Sequence, residues 1–180
     1  LFLHGSTIAI NTLLERNGAK TALLITEGFR DIYEIGRVNR PDAYNLFFSK
    51  HEPLVPRSLR YEVSERLRAD GSLHKPLDEQ AVRELARELK AKHIEAVAVL
   101  LLHSYRNPDH ERRVKAILQE EIPGAFVTAS HELSQEYREF ERVSTAVANS
   151  YVGPRVSEYL GELEHHLSDK GFEGDFYAVQ

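Results

Sequence analysis

The chain has 180 residues, of which 42% are hydrophobic, and this is enough to bury the core of a single domain over residues 1–180. Its 23 basic and 28 acidic side chains give a net charge of −5, which argues against a nucleic-acid partner. Cysteine is absent, so disulfides, thiolate zinc sites and cysteine nucleophiles are excluded. The longest apolar run, residues 94–102, is far shorter than the roughly 20 residues that span a bilayer, so we do not expect this chain to be a membrane protein.

The first elements along the chain are predicted as strands at residues 1–4 and 21–26, with a helix between them. Ser6 and Thr7 are typical of the start of this helix, and Gly18 is typical of its end. A short helix is expected over residues 29–35.

Residues 38–76 are predicted as an irregular excursion from the sheet that ends in a hairpin. In this hairpin residues 60–65 are expected to pair with residues 72–75 around a tight turn at Asp70-Gly71.

From residue 78 onward helices and strands alternate, and the first two helices have start signals, a cap at Asp78 and a cap with a first-turn proline at Asn107-Pro108. The predicted order is helix 78–92, strand 94–103, helix 107–121, strand 126–129, helix 136–170 and strand 175–180. Gly153-Pro154 should break or kink the last helix. This alternation predicts an α/β fold with a mainly parallel, mixed sheet and flanking helices.

Residues 136–151 sort their polar and apolar side chains onto opposite faces of one helix. The apolar face consists of Phe140, Val143, Val147 and Tyr151. The opposite, polar face consists of Glu139, Arg142, Thr145 and Asn149. The pattern leaves open whether this polar face is a solvated surface or one wall of a site.

Ligands of parallel α/β sheets gather at the carboxyl ends of the strands, and three segments with polar residues follow predicted strands here. These segments are residues 4–7, 103–106 and 130–132. Each has a structural alternative, because hydroxyls at a helix start are ordinary caps and a lone histidine is usually a hydrogen-bonded structural residue. His110-Glu111 and His165-His166 are interpreted as surface side chains.

Short motifs follow one another in a characteristic order at residues 4–16, 26–31, 35–41, 53–57, 102–105, 110–111, 130–132, 138–145 and 149–151. Together they resemble the hydantoinase A / 5-oxoprolinase family over essentially the whole chain. The resemblance implies the N-terminal part of a longer hydantoinase A-like subunit, within an actin-like (ribonuclease H-like) ATPase domain. Two glycine-rich stretches of the family are expected outside residues 1–180, so we expect this piece alone to lack tight ATP binding and activity.

The resemblance implies an ATP-dependent enzyme that phosphorylates a lactam or imide, such as a hydantoin or 5-oxoproline, before the ring opens. ATP and Mg²⁺ are the implied cofactors, a hydantoinase B-like subunit or domain is the implied partner, and the cytoplasm is the implied location. Two alternatives stay open. The chain could belong to a subunit of an ATP-dependent carboxylase of the acetone or acetophenone type, or to a non-catalytic interaction module that kept the fold.

The resemblance also implies roles for individual side chains, although the metal ligands are left open. Those implied to act in catalysis are Glu139, Arg142, His103 and His131. Those implied to bind substrate or phosphate are His4, Thr7, Asn11, Arg30, Arg37, Arg40, Thr145 and Asn149. Arginines suit charge neutralisation around a phosphoryl group, whereas carboxylates and imidazoles suit proton transfer or metal contact.

Overall fold

The computed structural model describes residues 1–37, 44–48 and 52–179 of the chain. Its first half supplies two strands of the main sheet and a small hairpin. The elements are, in chain order, β1 (Phe2–Gly5), α1 (Ile8–Glu15), β2 (Thr21–Thr26), α2 (Ile32–Ile35), β3 (Arg60–Val63), β4 (Arg66–Leu67) and β5 (Leu73–Lys75).

The second half alternates helices and strands, as the sequence predicts. Its elements are α3 (Glu79–Ala91), β6 (Ala96–Leu100), α4 (Asp109–Glu121), β7 (Phe126–Ala129), α5 (Ser130–Leu133), α6 (Glu139–Asp169) and β8 (Phe176–Val179). Asp78 caps α3 as expected, since its carboxylate accepts a hydrogen bond from Ala81 N at 3.0 Å. In the described part of the chain, no helix is both long and apolar enough to cross a membrane.

Four parallel strands form the central sheet in the order β3-β2-β6-β7. Its two inner strands, β2 and β6, are buried at every residue and mostly apolar, because a parallel sheet is covered on both faces. Helices α3 and α4 pack on one face around Leu24 and Val97, whereas α6 packs on the other face around Leu23 and Ala98. The predicted α/β fold with a mainly parallel sheet is confirmed.

The chain reverses its direction across the sheet between β2 and β6. It leaves β2 for β3 through α2, returns past β2 to β6 through α3, and continues to β7 through α4. Right-handed crossovers that run in opposite directions must lie on opposite faces of a sheet, and α2 and α3 do so. The carboxyl ends of β2 and β6 therefore form a topological switch point, the usual position of a ligand crevice in such folds.

The structure divides residues 38–76 differently from the prediction. The strand Arg60–Val63 does not enter the hairpin, since it joins the main sheet parallel to β2. The hairpin is smaller and pairs β4 with β5, and its turn lies at Asp70-Gly71 as predicted, with Gly71 at φ +86°. β3 was misassigned because an edge strand with exposed positions has the same pattern as a hairpin strand. Residues 38–43 and 49–51 lie outside the described part of the chain.

The long helix α6 continues through Pro154, so the predicted break is absent. Gly153 allows the helix to approach β7 closely, because a Cβ at this position would lie 2.4 Å from the ring of Phe126. Tertiary packing of this kind stabilises the helix despite the hydrogen bond that the proline cannot make.

Strands β1 and β8 form a separate parallel pair. The ring of Phe2 in β1 packs against Phe172, which follows α6, and against Phe176 of β8, with centroid distances of 6.1 Å and 5.9 Å. Several large apolar side chains of this region are exposed, namely Leu1, Leu3, Tyr177 and Val179. This pair therefore lacks the two-sided burial of the central sheet.

Candidate functional site

The switch point begins with a hydroxyl that bridges the two inner strands. Ile25 and Leu100 are the last residues that β2 and β6 pair. Beyond them, Leu102 N donates a hydrogen bond to Thr26 Oγ1 at 2.9 Å. Thr26 is fully buried, so this bond closes the sheet where its regular ladder ends.

Glu65 is a buried carboxylate next to this bridge, two residues after β3. Its Oε1 accepts a hydrogen bond from the Thr26 hydroxyl, and its Oε2 lies 2.7 Å from His110 Nδ1. The predicted surface position of His110 is wrong, because its side chain is only 14% exposed. A histidine that donates Nδ1–H to a carboxylate is fixed in orientation and tautomer.

A cavity of about 570 Å³, which we name the hairpin cavity, lies between the switch point and the β4–β5 hairpin. Two contacts hold the hairpin in place: Asn107 Nδ2 donates to Gly71 O at 3.2 Å, and Lys75 Nζ lies 2.7 Å from Glu27 Oε2. The charged and polar side chains of its lining include Glu27, Glu65, Arg66, Arg68, Lys75 and His103. Such a lining suits a polar or charged ligand.

His103 lies in this lining, three residues after the end of β6. Its backbone has φ +60°, in the left-handed region that costs a non-glycine residue about 1 kcal/mol or more. Its Nδ1 is buried without a hydrogen-bond partner among the described residues. Burial, and then the positive charge of Arg66, lowers the pKa of His103, so the ring is neutral at neutral pH. Strain and an unpaired polar atom together are typical of a functional position.

A second polar group, which we name the Arg142 cluster, consists of Arg142, Glu111, Ser104, Ser130 and His131. Arg142 is 1% exposed, and its Nη1 donates to Ser104 Oγ at 2.5 Å and to Ser130 Oγ at 2.9 Å. Its Nη2 lies 3.4 Å from Leu101 O. Arg142 therefore extends from α6 into the carboxyl ends of β6 and β7.

Glu111 supplies the negative charge of the Arg142 cluster, and it is fully buried, so its predicted surface position is wrong. Its Oε1 accepts hydrogen bonds from Leu101 N at 2.8 Å and Ser130 Oγ at 2.7 Å. Its Oε2 accepts from His131 N at 3.0 Å and lies 2.7 Å from His131 Nδ1. Burial raises the pKa of Glu111. The hydrogen bonds, led by that of His131, together lower the pKa by more than burial raises it, so the net shift is downward.

The structure brings three of the four predicted catalytic residues together. The charges of Glu139 and Arg142 both act on the pKa of His103, and that of Glu139 also acts on Arg142. Tyr105 contacts two of them, with its ring centroid 6.0 Å from the His103 ring and 5.5 Å from the Arg142 guanidinium carbon. The fourth, His131, is 10% exposed and is held inside the Arg142 cluster.

The remaining residues of the predicted polar face of α6 have other contacts. Thr145 is exposed, and its hydroxyl donates to Glu141 O at 2.9 Å. Asn149 Nδ2 donates to Thr128 Oγ1 at 3.0 Å and so joins α6 to β7. Arg142 of this face is buried against polar groups of the sheet edge, so the polar face is not a fully solvated surface.

The predicted phosphate-binding arginines already have protein partners where the structure describes them. Arg37 forms an ion pair with Glu141, one residue before Arg142 on α6. Arg30 donates to Arg57 O at 2.8 Å. Arg40 lies outside the described residues.

His4, Thr7 and Asn11 form a separate group, far from the switch point. His4 Nε2 lies 2.7 Å from the hydroxyl of Tyr159, and Asn11 Nδ2 donates to Thr7 Oγ1 at 3.3 Å. Tyr159 is 17 residues beyond Arg142 on α6, which corresponds to about 25 Å at a rise of about 1.5 Å per residue. One small ligand therefore cannot contact both groups.

Sequence reasoning missed Thr26, Glu65 and Arg66. A signal for Thr26 was present, because it ends a strand as polar residues at ligand crevices commonly do. Glu65 and Arg66 were hidden by the assignment of residues 60–65 to a hairpin, since their position beside the switch point requires β3 to lie in the main sheet.

Within the described ranges, no group of three or more His, Asp or Glu side chains could hold a metal ion. The two buried carboxylates of this edge, Glu65 and Glu111, each already bond a histidine and a hydroxyl. Neither of these two carboxylates is therefore free to ligate a metal ion in this structure.

The family model of the hydantoinase/oxoprolinase N-terminal region matches residues 1–122. The solved structure of the ATP-dependent caprolactamase from Pseudomonas jessenii is similar, with a TM-score of 0.92 and 33% identity over 99% of this chain and 26% of that chain. A nucleotide-free acetone carboxylase structure has a TM-score of 0.85 and 30% identity over 98% of this chain and 26% of that one. The 5-oxoprolinase of Saccharomyces cerevisiae is 32% identical over 91% of this chain and 15% of its own length.

The chain thus spans about a quarter or less of the relatives that it matches. The name of the Pseudomonas jessenii protein, caprolactamase subunit alpha, marks it as one subunit of a larger enzyme, and it is 35% identical to this chain over 95% of it and 25% of its own length.

Proposed function

Because the chain belongs to the hydantoinase/oxoprolinase N-terminal region family, we propose that the longer protein that carries it is an ATP-dependent hydrolase of cyclic amides. The observation that carries this proposal is the backbone match to an ATP-dependent caprolactamase over nearly the whole chain. An actin-like ATPase domain and a cytoplasmic location are parts of the same proposal.

The proposed reaction couples ring opening to phosphoryl transfer. The amide oxygen of a lactam or imide attacks the γ-phosphorus of ATP, so a P–O bond forms and ADP leaves. Water then adds to the activated carbon, the ring C–N bond breaks, and phosphate is released. Such a reaction needs N–H donors and cations around the phosphoryl group, in a site that excludes bulk water.

The switch point offers groups of these types. We assign acceptance of a proton to Glu139, a half-buried carboxylate close to both His103 and Arg142. His103, neutral and lining the hairpin cavity, is assigned as a hydrogen-bond donor to the reacting group. Arg142 and His131 are assigned as positioning residues, because both are held inside the Arg142 cluster.

ATP would supply the phosphoryl group, and Mg²⁺ would balance its charge when bound. Arg37 lies beside this edge, since its partner Glu141 adjoins Arg142 on α6. Substrate or phosphate binding by Arg30, Arg40, Thr145 and Asn149, and by the distant group His4, Thr7 and Asn11, remains part of the proposal.

A subunit of an ATP-dependent ketone carboxylase is the second candidate, and the TM-score of 0.85 to acetone carboxylase supports it. Both candidates imply a partner, because the caprolactamase relative is one subunit of a larger enzyme. For the first candidate we propose a hydantoinase B-like subunit or domain.

Steady-state ATP hydrolysis by the full-length protein with its partner tests this proposal. The compounds to compare are hydantoin, 5-oxoproline, caprolactam and acetone. We expect a cyclic amide to stimulate hydrolysis and to be converted to its ring-opened product. If only acetone with bicarbonate stimulates hydrolysis, the result favours the carboxylase. If none of the four compounds stimulates hydrolysis, the result contradicts both candidate functions.

A further inference from the structure

The hairpin cavity contains three cationic side chains, and two of them already have partners. Lys75 Nζ lies 2.7 Å from Glu27 Oε2. Arg68 Nη2 lies 3.1 Å from His74 Nδ1, and its Nη1 is 3.5 Å from a backbone carbonyl of the same hairpin. These two cations therefore stabilise the hairpin itself.

Arg66 differs from both. Its guanidinium lies over the ring of Phe29, with its carbon 4.7 Å from the ring centroid. Over residues 1–37, 44–48 and 52–179, no hydrogen bond or ion pair engages this guanidinium. Stacking on an aromatic ring orients the guanidinium plane. The edge of the guanidinium carries five N–H donors in a fixed fork and stays available to bind a planar or tetrahedral oxyanion.

His103 provides a second donor beside Arg66. Because its Nδ1 is buried without a partner, the favoured neutral tautomer carries no proton there and places it on Nε2. Nε2 is then the ring nitrogen that a ligand in the cavity can reach, since His103 belongs to the lining. Burial and the nearby Arg66 lower the pKa of His103, so this donor is neutral and persists at neutral pH.

The two carboxylates in the lining of the cavity already have partners. Both carboxylate oxygens of Glu65 are bonded, one to the Thr26 hydroxyl and one to His110 Nδ1, and its side chain is 0% exposed. Glu27 is paired with Lys75. Among the described residues that line the cavity, the carboxylates are therefore bonded, whereas the Arg66 guanidinium has no hydrogen-bond partner.

We propose that Arg66 and His103 Nε2 bind an oxyanion in the hairpin cavity, either a carboxylate or a phosphoryl group. This inference rests on the proposed function, because a carboxylate next to the lactam ring and the phosphates of ATP are the two sources of an oxyanion in that reaction. A bidentate guanidinium contact to either group is charge-assisted and geometrically specific.

Titration calorimetry on the full-length protein tests this site with three probes. These are 5-oxoproline, 2-pyrrolidinone, which is the same ring without the carboxylate, and pyrophosphate. Arg66→Gln is expected to weaken the binding of at least one anionic probe about tenfold or more, and to leave 2-pyrrolidinone unchanged. Weaker 5-oxoproline binding identifies a substrate carboxylate, and weaker pyrophosphate binding identifies a phosphoryl group.

Two further variants keep the result specific. Arg66→Lys retains the charge without the fork, so its affinity should fall between those of the parent and Arg66→Gln. Arg68→Gln, in the same hairpin, should change affinity less than about twofold because Arg68 already has partners. Circular dichroism and thermal unfolding verify that each variant is folded.

Three outcomes would overturn the inference: neither anionic probe binds the parent protein, Arg66→Gln binds both as the parent does, or Arg68→Gln loses as much affinity as Arg66→Gln. Its failure is distinguishable from failure of the proposed function. If a cyclic amide stimulates ATP hydrolysis by the parent protein, but Arg66→Gln binds both anions as the parent does, only this inference is overturned and the proposed function stands.

Discussion

The two polar groups at the carboxyl edge of the sheet are built from the same kinds of residue but have opposite exposure. The Arg142 cluster is sealed: Arg142 is 1% and Glu111 0% exposed, and Ser130 bridges the two charges. The hairpin cavity is open, and its lining includes the strained His103 and also Arg66, whose guanidinium has no hydrogen-bond or ion-pair partner in the described part of the chain. The sealed group can position neighbouring elements, whereas only the open group can receive a ligand.

Because of this difference, the Arg142 cluster should contribute to the stability of the domain, and the hairpin cavity should contribute to ligand binding. Buried charges that satisfy one another hold α4, α5 and α6 against the strand ends, and removing one of them leaves the other uncompensated. Exposed donors without partners contribute little to stability and are available to a ligand. Substitutions in the two groups should therefore have different signatures.

The largest effect on stability is expected for Arg142→Ala. It removes the cation of the sealed cluster, leaves Glu111 buried without its countercharge, and should destabilise the domain by about 3 to 5 kcal/mol. Native-state hydrogen exchange of the α4 and α6 amides in the full-length protein measures this loss. The control is Arg37→Ala, which breaks a part-exposed pair with Glu141 and should cost about 1 kcal/mol or less. Equal losses for the two variants would remove the distinction between sealed and open groups.

A smaller effect is expected in the pH dependence of stability. The pKa of Glu111 in the folded chain is below its ordinary value of 4.5, so its ionised form is favoured by folding. This contribution is complete above pH 4.5 and is lost as the pH falls toward the pKa of the folded state. Glu111→Gln should therefore be less stable at pH 7 and show a flatter decline on acidification, measured by thermal unfolding from pH 7 to pH 3. A parallel decline in parent and variant would contradict this assignment.

The smallest effect is expected at the contacts that hold the hairpin. Lys75→Ala removes the ion pair with Glu27 Oε2 and should destabilise the hairpin locally by about 1 kcal/mol or less. The amides of residues 68–75 should then exchange several times faster, while those of α4 stay unchanged. Faster exchange throughout α4 would indicate that the hairpin is part of the same cooperative unit as the sealed cluster.

The sequence predicted the alternation of strands and helices well, because the buried strands and the capped helices carry strong local signals. Residues 21–26 and 126–129 are strands with the predicted bounds. Family motifs also selected His103, Glu139 and Arg142, which the structure brings to one edge.

Long-range pairing was not predictable in the same way. Whether Arg60–Val63 pairs with the hairpin or with β2 depends on contacts with residues far away in sequence, and the short alternating pattern fits both. The helix pattern did not reveal the burial of Arg142, because its partners Ser104 and Ser130 come from two different strand ends. Periodicity describes the faces of a helix, but it does not show which of those faces meets another polar surface.

Turnover of His103→Ala in the full-length protein tests most directly whether the open group acts on the ligand. We expect cyclic-amide-dependent ATP hydrolysis to fall about 100-fold or more, because a donor to the reacting group is lost, with unchanged hydrogen exchange in α4. His165→Ala, a change at a histidine whose side chain is 75% exposed on α6, should retain full turnover. Turnover of His103→Ala within about threefold of the parent, or a loss that occurs only with faster exchange in α4, would contradict the assignment.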